Sequence, residues 1–479
     1  MSARHPVVLA ALVVGACRAG PGPAPPHRET QAGELRAGPL RVDTLAFPRF
    51  GPVVVYRHAD HPDHVVLFLS GDGGWNLGVV DMARSLAATG ALVVGVDVRR
   101  CLAALARSAG PCGYPPADLE ALSQWVQHRL GYPAYVPPVL VGYSSGATLV
   151  YATLVQAPPG TFRAGVSLGF CPTLSLSRPL CRSGGLAWSV GARGLVTLLP
   201  ADSIRTPWIV LQGERDSSCT AATARGLVRR VRGARLVLLS GVGHGFAVQD
   251  RWMPQLREVI AQATRVEPAP VPAASVRDLP LVEVPAAAAT GELAVIISGD
   301  GGWAGIDREI GAVLAAKGIP VVGLNSLQYF WRPRTPDEAG RDLTRILRHY
   351  LEARHARDVL LVGYSLGAEV LPFMASRLPE DLRSHVRLVA LLGPGRTATF
   401  EFHVSQWLGG SGHGPPTAPE IDRLAGMRVL CLYGANETDS ACPEIRRGAA
   451  DIVRLAGGHH FGGAYAGLAD RILEAFRAR

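Results

Sequence analysis

The hexapeptide Ser-Gly-Asp-Gly-Gly-Trp occurs twice, at 70–75 and at 298–303, each time directly behind an apolar run ("VVLFL" and "AVII"). Three further segments repeat in the same order. "PVLVGYSSGATLVY" (138–151) matches "DVLLVGYSLGAEVLP" (358–372), "WIVLQGERDSSC" (208–219) matches "VLCLYGANETDSAC" (429–442), and "LLSGVGHGF" (238–246) matches "VRLAGGHHF" (453–461). A chain that writes four motifs twice in one order contains one fold twice. Each copy alternates short β-rich runs, such as "ALVVGVDV" (91–98) and "IPVVGLNS" (319–326), with helical stretches. The segment 337–355 is amphipathic, apolar at Leu343, Ile346, Leu347, Tyr350 and Leu351. Strand–helix alternation predicts a mostly parallel sheet with helices on both faces, so the expected fold class is α/β, two tandem domains each a mostly parallel sheet flanked by helices.

The expected boundaries are 36–264 for the first domain and 281–479 for the second, with "RVEPAPVPAASVRDLP" (265–280) as a Pro/Ala-rich linker. The first 17 residues have a short basic start (Arg4, His5), an apolar run from 7 to 14 and then small residues, the pattern of a secretory signal. The ending Val14-Gly15-Ala16-Cys17 matches a lipobox, so Cys17 is expected to carry lipid and residues 18–35, rich in Pro and Gly, to act as a tether. These features predict a periplasmic, membrane-anchored lipoprotein.

The formal charge of +9 does not imply nucleic-acid binding. Lys317 is the only lysine among 48 Lys and Arg residues, and the arginines are scattered with no basic run. Cysteines fit an oxidising compartment: the close pairs 101/112, 171/181 and 431/442 suit disulfides and leave Cys219 odd. No Cys or His spacing suggests a metal site, and no cofactor is expected.

The chemistry lies in Gly-x-Ser-x-Gly between a strand and a helix, the nucleophile elbow of α/β-hydrolases. An acid follows a later strand and a His the last one, giving the order Ser…Asp…His. In the second copy these are Ser365, Asp439 and His459; in the first, Ser144, Asp216 and His244. Glu437 is an alternative acid and His460 an alternative base. The shared Asp-Ser-x-Cys and the alignment with His244 favour Asp439 and His459. The Ser-Gly-Asp-Gly-Gly-Trp turn stands where this fold supplies an oxyanion-hole amide, so Asp300 and Gly301 are expected to act with the Leu366 N–H. Glu369, one turn beyond Ser365, could meet an ammonium group; the first copy has Thr148 there. "YFW" (329–331) is expected either to wall an apolar site or to pack in the core.

The signal sequence, the two hexapeptides, "GYSLGAEVLP", "SLQYFWRPRTP" (326–336), "NETDSACP" (436–443) and "GGHHFGG" (457–463) together resemble the bacterial virulence family of AcvB and VirJ proteins, in the two-domain AcvB arrangement. The resemblance implies a periplasmic α/β-hydrolase that removes the amino acid from lysyl-phosphatidylglycerol, with catalysis in the C-terminal domain and a link to type IV secretion. The implied partners are an aminoacylated phospholipid, the membrane surface and secretion components. A generic periplasmic lipase or esterase would keep the mechanism and change the substrate, while a non-catalytic secretion accessory would use both domains as binding modules.

Overall fold

The computed structural model describes residues 39–107, 112–191, 195–264, 276–287, 290–303, 305–402, 414–463 and 465–478. Cys17, the signal and tether, and residues 265–275 of the expected linker lie outside them.

Two large sheets carry the fold. The first is built from β1 (Arg41–Phe47), β2 (Gly51–Arg57), β3 (His64–Leu69), β4 (Ala91–Val96), β5 (Val139–Tyr143), β6 (Ala164–Leu168), β10 (Ser203–Gly213) and β11 (Arg232–Leu239), in the order β1-β2-β4-β3-β5-β6-β10-β11. Between them, β7 (Thr173–Ser175), β8 (Trp188–Val190) and β9 (Leu195–Leu198) form a small separate sheet. The second large sheet contains β12 (Leu281–Val284), β13 (Glu292–Ile297), β14 (Val321–Leu324), β15 (Asp358–Tyr364), β16 (Val386–Leu392), β17 (Val429–Gly434) and β18 (Asp451–Leu455), in the order β12-β14-β13-β15-β16-β17-β18. Its first pair is antiparallel and the other five are parallel. From β2 to β11 the first sheet repeats that order and those directions, so the sequence repeat is a repeat of topology, with β1 added at one edge.

The interior strands, such as β3, β4, β13 and β15, are near-continuous apolar runs because helices cover both faces and leave no polar side, while the edge strands β1 and β18 keep charged, exposed residues. Both faces of each sheet pack into separate apolar clusters. The expected helix at 337–355 is Pro336–Arg354, opened by a capping box between Thr335 and Glu338. The hexapeptide's tryptophan has a packing role in both copies. Trp303 lies flat on Gly323 of β14, where a Cβ would come within 2.2 Å of the ring, and Trp75 occupies the same place over Gly95.

Residues 38–479 make one compact unit. Leu327, Trp331 and Phe402 from the second half belong to the first half's core, and the Trp331 Nε1–H donates to the Tyr132 carbonyl at 2.6 Å. Tyr329 and Phe330 are buried in the second core. The "YFW" segment is therefore packing, and its tryptophan joins the halves. The tail of the expected linker also packs, with Val276 and Leu279 buried. No helix among the described residues is long and apolar enough to cross a membrane.

The disulfides correct two of the three pairings expected from proximity in sequence. They join Cys112–Cys181, Cys171–Cys219 and Cys431–Cys442, and the odd residue is the buried Cys101, not Cys219. Closeness along the chain misled because a parallel sheet brings together the ends of strands that are far apart in sequence. Cys171 follows β6, and its partner Cys219 follows the neighbouring β10.

Candidate active site

Each G-x-S-x-G sits at the turn from a strand into a helix: β5 into α1 (Ser145–Gln156), and β15 into α2 (Leu366–Ala375). The serines have φ near +54°, Ser144 at 54° and Ser365 at 53°, a conformation that costs a non-glycine residue energy and is held by its surroundings. The glycines are required by close approach. A Cβ on Gly367 would come within 2.0 Å of the Ile297 carbonyl oxygen, and one on Gly363 within 2.5 Å of the Gly367 oxygen.

In the second half the Ser365 hydroxyl lies 2.9 Å from His459 Nε2, and His459 Nδ1 is hydrogen-bonded to Glu437 Oε1. An ionised carboxylate only accepts, so Nδ1 carries the proton and Nε2 is left to accept from serine. The expected acid, Asp439, is thereby corrected to Glu437. Counted from the glycine that ends the strand, Glu437 and Asp216 are both third (Gly434 and Gly213), and each donates its own N–H back to that glycine's carbonyl. The second loop carries two extra residues between the acid and the cysteine, so aligning on Asp-Ser-x-Cys selected the wrong carboxylate. Asp439 is exposed and lines the cavity described below. His459 is the base position expected, and His460 instead takes Tyr364 OH at 2.9 Å from its Nδ1.

The first half assembles the same constellation with the residues expected. Ser144 Oγ is 3.1 Å from His244 Nε2, and His244 Nδ1 is 2.8 Å from Asp216 Oδ2. Asp216 Oδ1 is held by the N–H groups of Ser218 and Cys219 at 3.0 and 2.7 Å.

The two Ser-Gly-Asp-Gly-Gly-Trp turns lie beside the serines. A Cβ built on Gly299 would be 3.6 Å from the Ser365 Cβ, and the equivalent on Gly71 would be 3.1 Å from the Ser144 Cβ. The Gly302 N–H closes the turn on the Gly299 carbonyl at 3.0 Å, and the Ser326 Oγ–H binds the Ser298 carbonyl at 2.6 Å. Leu366 is the first residue of its helix, where backbone N–H groups have no helical acceptor.

Ser365 opens on a cavity of about 880 Å³; Ser144 does not line it. Asp300, Gly301, Leu366 and Glu369 all line this cavity. So do Asp439 and two carboxylates that the sequence motifs did not indicate, Asp307 and Glu120. Against these acids the lining offers Arg396, ion-paired to Glu444 at 2.7 Å, and the two histidines. Burial, then the nearby Asp300, pushes the Glu369 carboxyl up to about 8, with Asp439 adding to the rise and the Gly395 N–H opposing it. Burial pushes Asp307 well above the ordinary carboxylate range. Burial also acts on Glu437, but the hydrogen bonds from His459 and the Gly434 N–H outweigh it and hold this group below its usual value. His459 is raised: burial opposes its charge, and Glu437 more than compensates. In the first half, Thr148 replaces Glu369 and spends its hydroxyl on the Cys171 carbonyl at 2.6 Å.

Among solved structures, the chain resembles the esterase domain of a Rhodothermus marinus protein at 18% identity, covering 47% of this chain and 98% of that one with a TM-score of 0.32. It also resembles a putative dienelactone hydrolase from Klebsiella pneumoniae (15% identity, 48% and 100% covered, TM-score 0.35) and an alpha-beta serine hydrolase homologue from Coxiella burnetii (18%, 46% and 96%, TM-score 0.29). No curated protein matches the chain. The family model for the bacterial virulence protein VirJ matches residues 63–170 and 291–479, which is more than half of the sequence and takes in both elbows, both hexapeptides and the second half's acid and histidine, so this chain is a member of the VirJ family.

Proposed function

We propose that the protein is a serine esterase that hydrolyses the aminoacyl ester of a cationic aminoacyl-phospholipid, lysyl-phosphatidylglycerol being the substrate its family resemblance implies. The observation that carries this reading is the cavity at Ser365, where a nucleophile–His–Glu set opens among Asp300, Glu369 and Asp439. An aminoacyl ester places an ammonium on the carbon next to the carbonyl under attack. Any site that cleaves it must therefore meet a cation close to the nucleophile, and Glu369 and Asp300 supply the opposite charge there. Arg396 at the same cavity offers a cation to a lipid phosphate.

Ser365 Oγ attacks the ester carbonyl carbon while its proton passes to His459 Nε2. Glu437 holds the imidazole in the accepting tautomer and stabilises the imidazolium. The negative oxygen of the tetrahedral intermediate faces the Leu366 amide and the 299–301 turn, where one donor contributes about 3 kcal/mol in the transition state. As the carbon–oxygen bond breaks, His459 returns the proton to the departing lipid hydroxyl. Water then attacks the acyl-enzyme, giving its proton to His459, and the amino acid and free serine are regenerated.

Lysyl-phosphatidylglycerol in detergent micelles should be converted to phosphatidylglycerol and lysine by the wild-type protein and not by Ser365→Ala. Turnover only of neutral esters would point to a general esterase, and absence of any turnover to a binding role. Lipidation of Cys17 would bring the site to the membrane; Cys17→Ser should then move the protein to the soluble periplasmic fraction, and a wild-type protein already found there would contradict the anchor.

A further inference from the structure

The cavity at Ser365 is not built by the second half alone. Pro116, Ala117 and Glu120, from the first half's helix Pro115–Arg129, line it with Tyr114, the residue that precedes this helix, and with Pro158 and Thr161. The contact is tight beside the oxyanion turn: a Cβ on Gly305 would stand 3.6 Å from Pro158 Cβ, and one on Gly160 would stand 4.0 Å from the Trp303 carbonyl oxygen.

Glu120 is the unusual member of this wall. It is only 9% exposed, yet takes part in no hydrogen bond or ion pair among the described residues. Burying a carboxyl without a partner is costly, and core packing would be served better by an apolar residue of the same size. Its carboxyl is pushed up to about 8, by burial first and then by Asp300 across the cavity. Asp307, 3% exposed, likewise has an Oδ1 with no partner and faces the same space. Such buried groups mark a place where a ligand supplies the missing partner. The described residues around the cavity do not hold their oxygens close enough together to cage a metal ion. The acids that line the cavity come from both halves, Glu120 from the first and Asp300, Asp307, Glu369 and Asp439 from the second, which suits an organic cation carrying more than one charge.

We propose that Glu120, donated by the first half, is the distal ammonium subsite of the Ser365 active site, accepting the side-chain cation of a diamino acyl group while Glu369 and Asp300 face the α-ammonium. This rests on the aminoacyl-ester reading above and deepens it: the first half is a specificity wall for the second. An acyl group of alanine or glycine would leave Glu120 unanswered.

The test uses the full chain and two phospholipid esters, lysyl- and norleucyl-phosphatidylglycerol, which share a four-carbon side chain and differ in the ε-ammonium. In the wild type kcat/KM should favour the lysyl ester. Glu120→Gln should lower kcat/KM on the lysyl ester about 10- to 100-fold, the value of one charge-assisted contact, and leave the norleucyl ester within about twofold. Its Tm should be unchanged or higher, because an unpaired buried carboxyl has been removed. Glu120→Asp should keep part of the lysyl preference. Equal loss on both esters with a lower Tm would make Glu120 a packing residue and overturn the proposal. An unchanged lysyl rate would overturn it while leaving the esterase reading intact. If the wild type cleaves neither ester, the esterase reading itself fails and the subsite falls with it.

Discussion

Glu437 Oε1 is hydrogen-bonded to His459 Nδ1, although the residue that repeats the first half's acid motif is Asp439, two positions further on. The acid of this site is thus set by its distance from the end of β17 and not by its neighbours in sequence. Glu437→Gln should keep the fold and lower kcat by three to four orders of magnitude, about the effect of leaving a triad histidine in the wrong tautomer. Asp439→Asn should leave cleavage of a neutral ester almost unchanged and weaken only cationic esters. Steady-state kinetics of both variants on one neutral and one lysyl ester check the assignment; a larger loss from Asp439→Asn on the neutral ester would reverse it.

Both halves hold a serine hydrogen-bonded to a histidine, so both serines should react with a fluorophosphonate. Intact-protein mass spectrometry of the wild type should show two additions, and Ser144→Ala and Ser365→Ala one each. Hydrolysis of the lysyl ester should survive Ser144→Ala and fall at least a thousandfold in Ser365→Ala, because the large acidic cavity opens on Ser365 and Thr148 stands where Glu369 does. A single addition in the wild type would mean that the first constellation is inert.

The Glu369 carboxyl, raised to about 8, is mostly protonated in the empty site at neutral pH and must ionise to pair with an ammonium. Its folded value lies above the ordinary 4.5, so the charged form gains population only as pH rises towards 8. For a lysyl ester, the ratio of kcat/KM in the wild type to that in Glu369→Gln cancels the substrate's own titration and that of His459. This ratio should climb with pH and level off above about 8. A flat ratio between pH 6 and 9 would remove Glu369 from cation recognition.

The Cys431–Cys442 disulfide brackets Glu437, the two cysteines lying 11 positions apart in sequence. Closing a loop of this length contributes about 3 kcal/mol in the chain-entropy account. Replacing both cysteines by alanine should lower the Tm and, by loosening the acid's loop, reduce kcat more than it raises KM. Equal kcat with a lowered Tm would confine the disulfide to stability.

The amino-acid sequence by itself determined the duplicated α/β architecture, both nucleophile elbows and both histidines. These follow from signals that are local: apolar runs of strand length, glycines at a turn where a Cβ would strike backbone, and a chain order that the sheet topology imposes. The first half's acid was legible for the same reason. The second half's acid, the disulfide partners and the composite cavity were decided by the tertiary structure. Strand ends brought together by parallel pairing put Cys171 beside Cys219, a distance along the chain that no spacing rule anticipates. Glu120 carries no sequence signal at all. It is an acid in a helix of the first half, and becomes part of a site only because Trp331 and Phe402 anchor the second half in the first half's core and bring Ser365 to face it across one cavity.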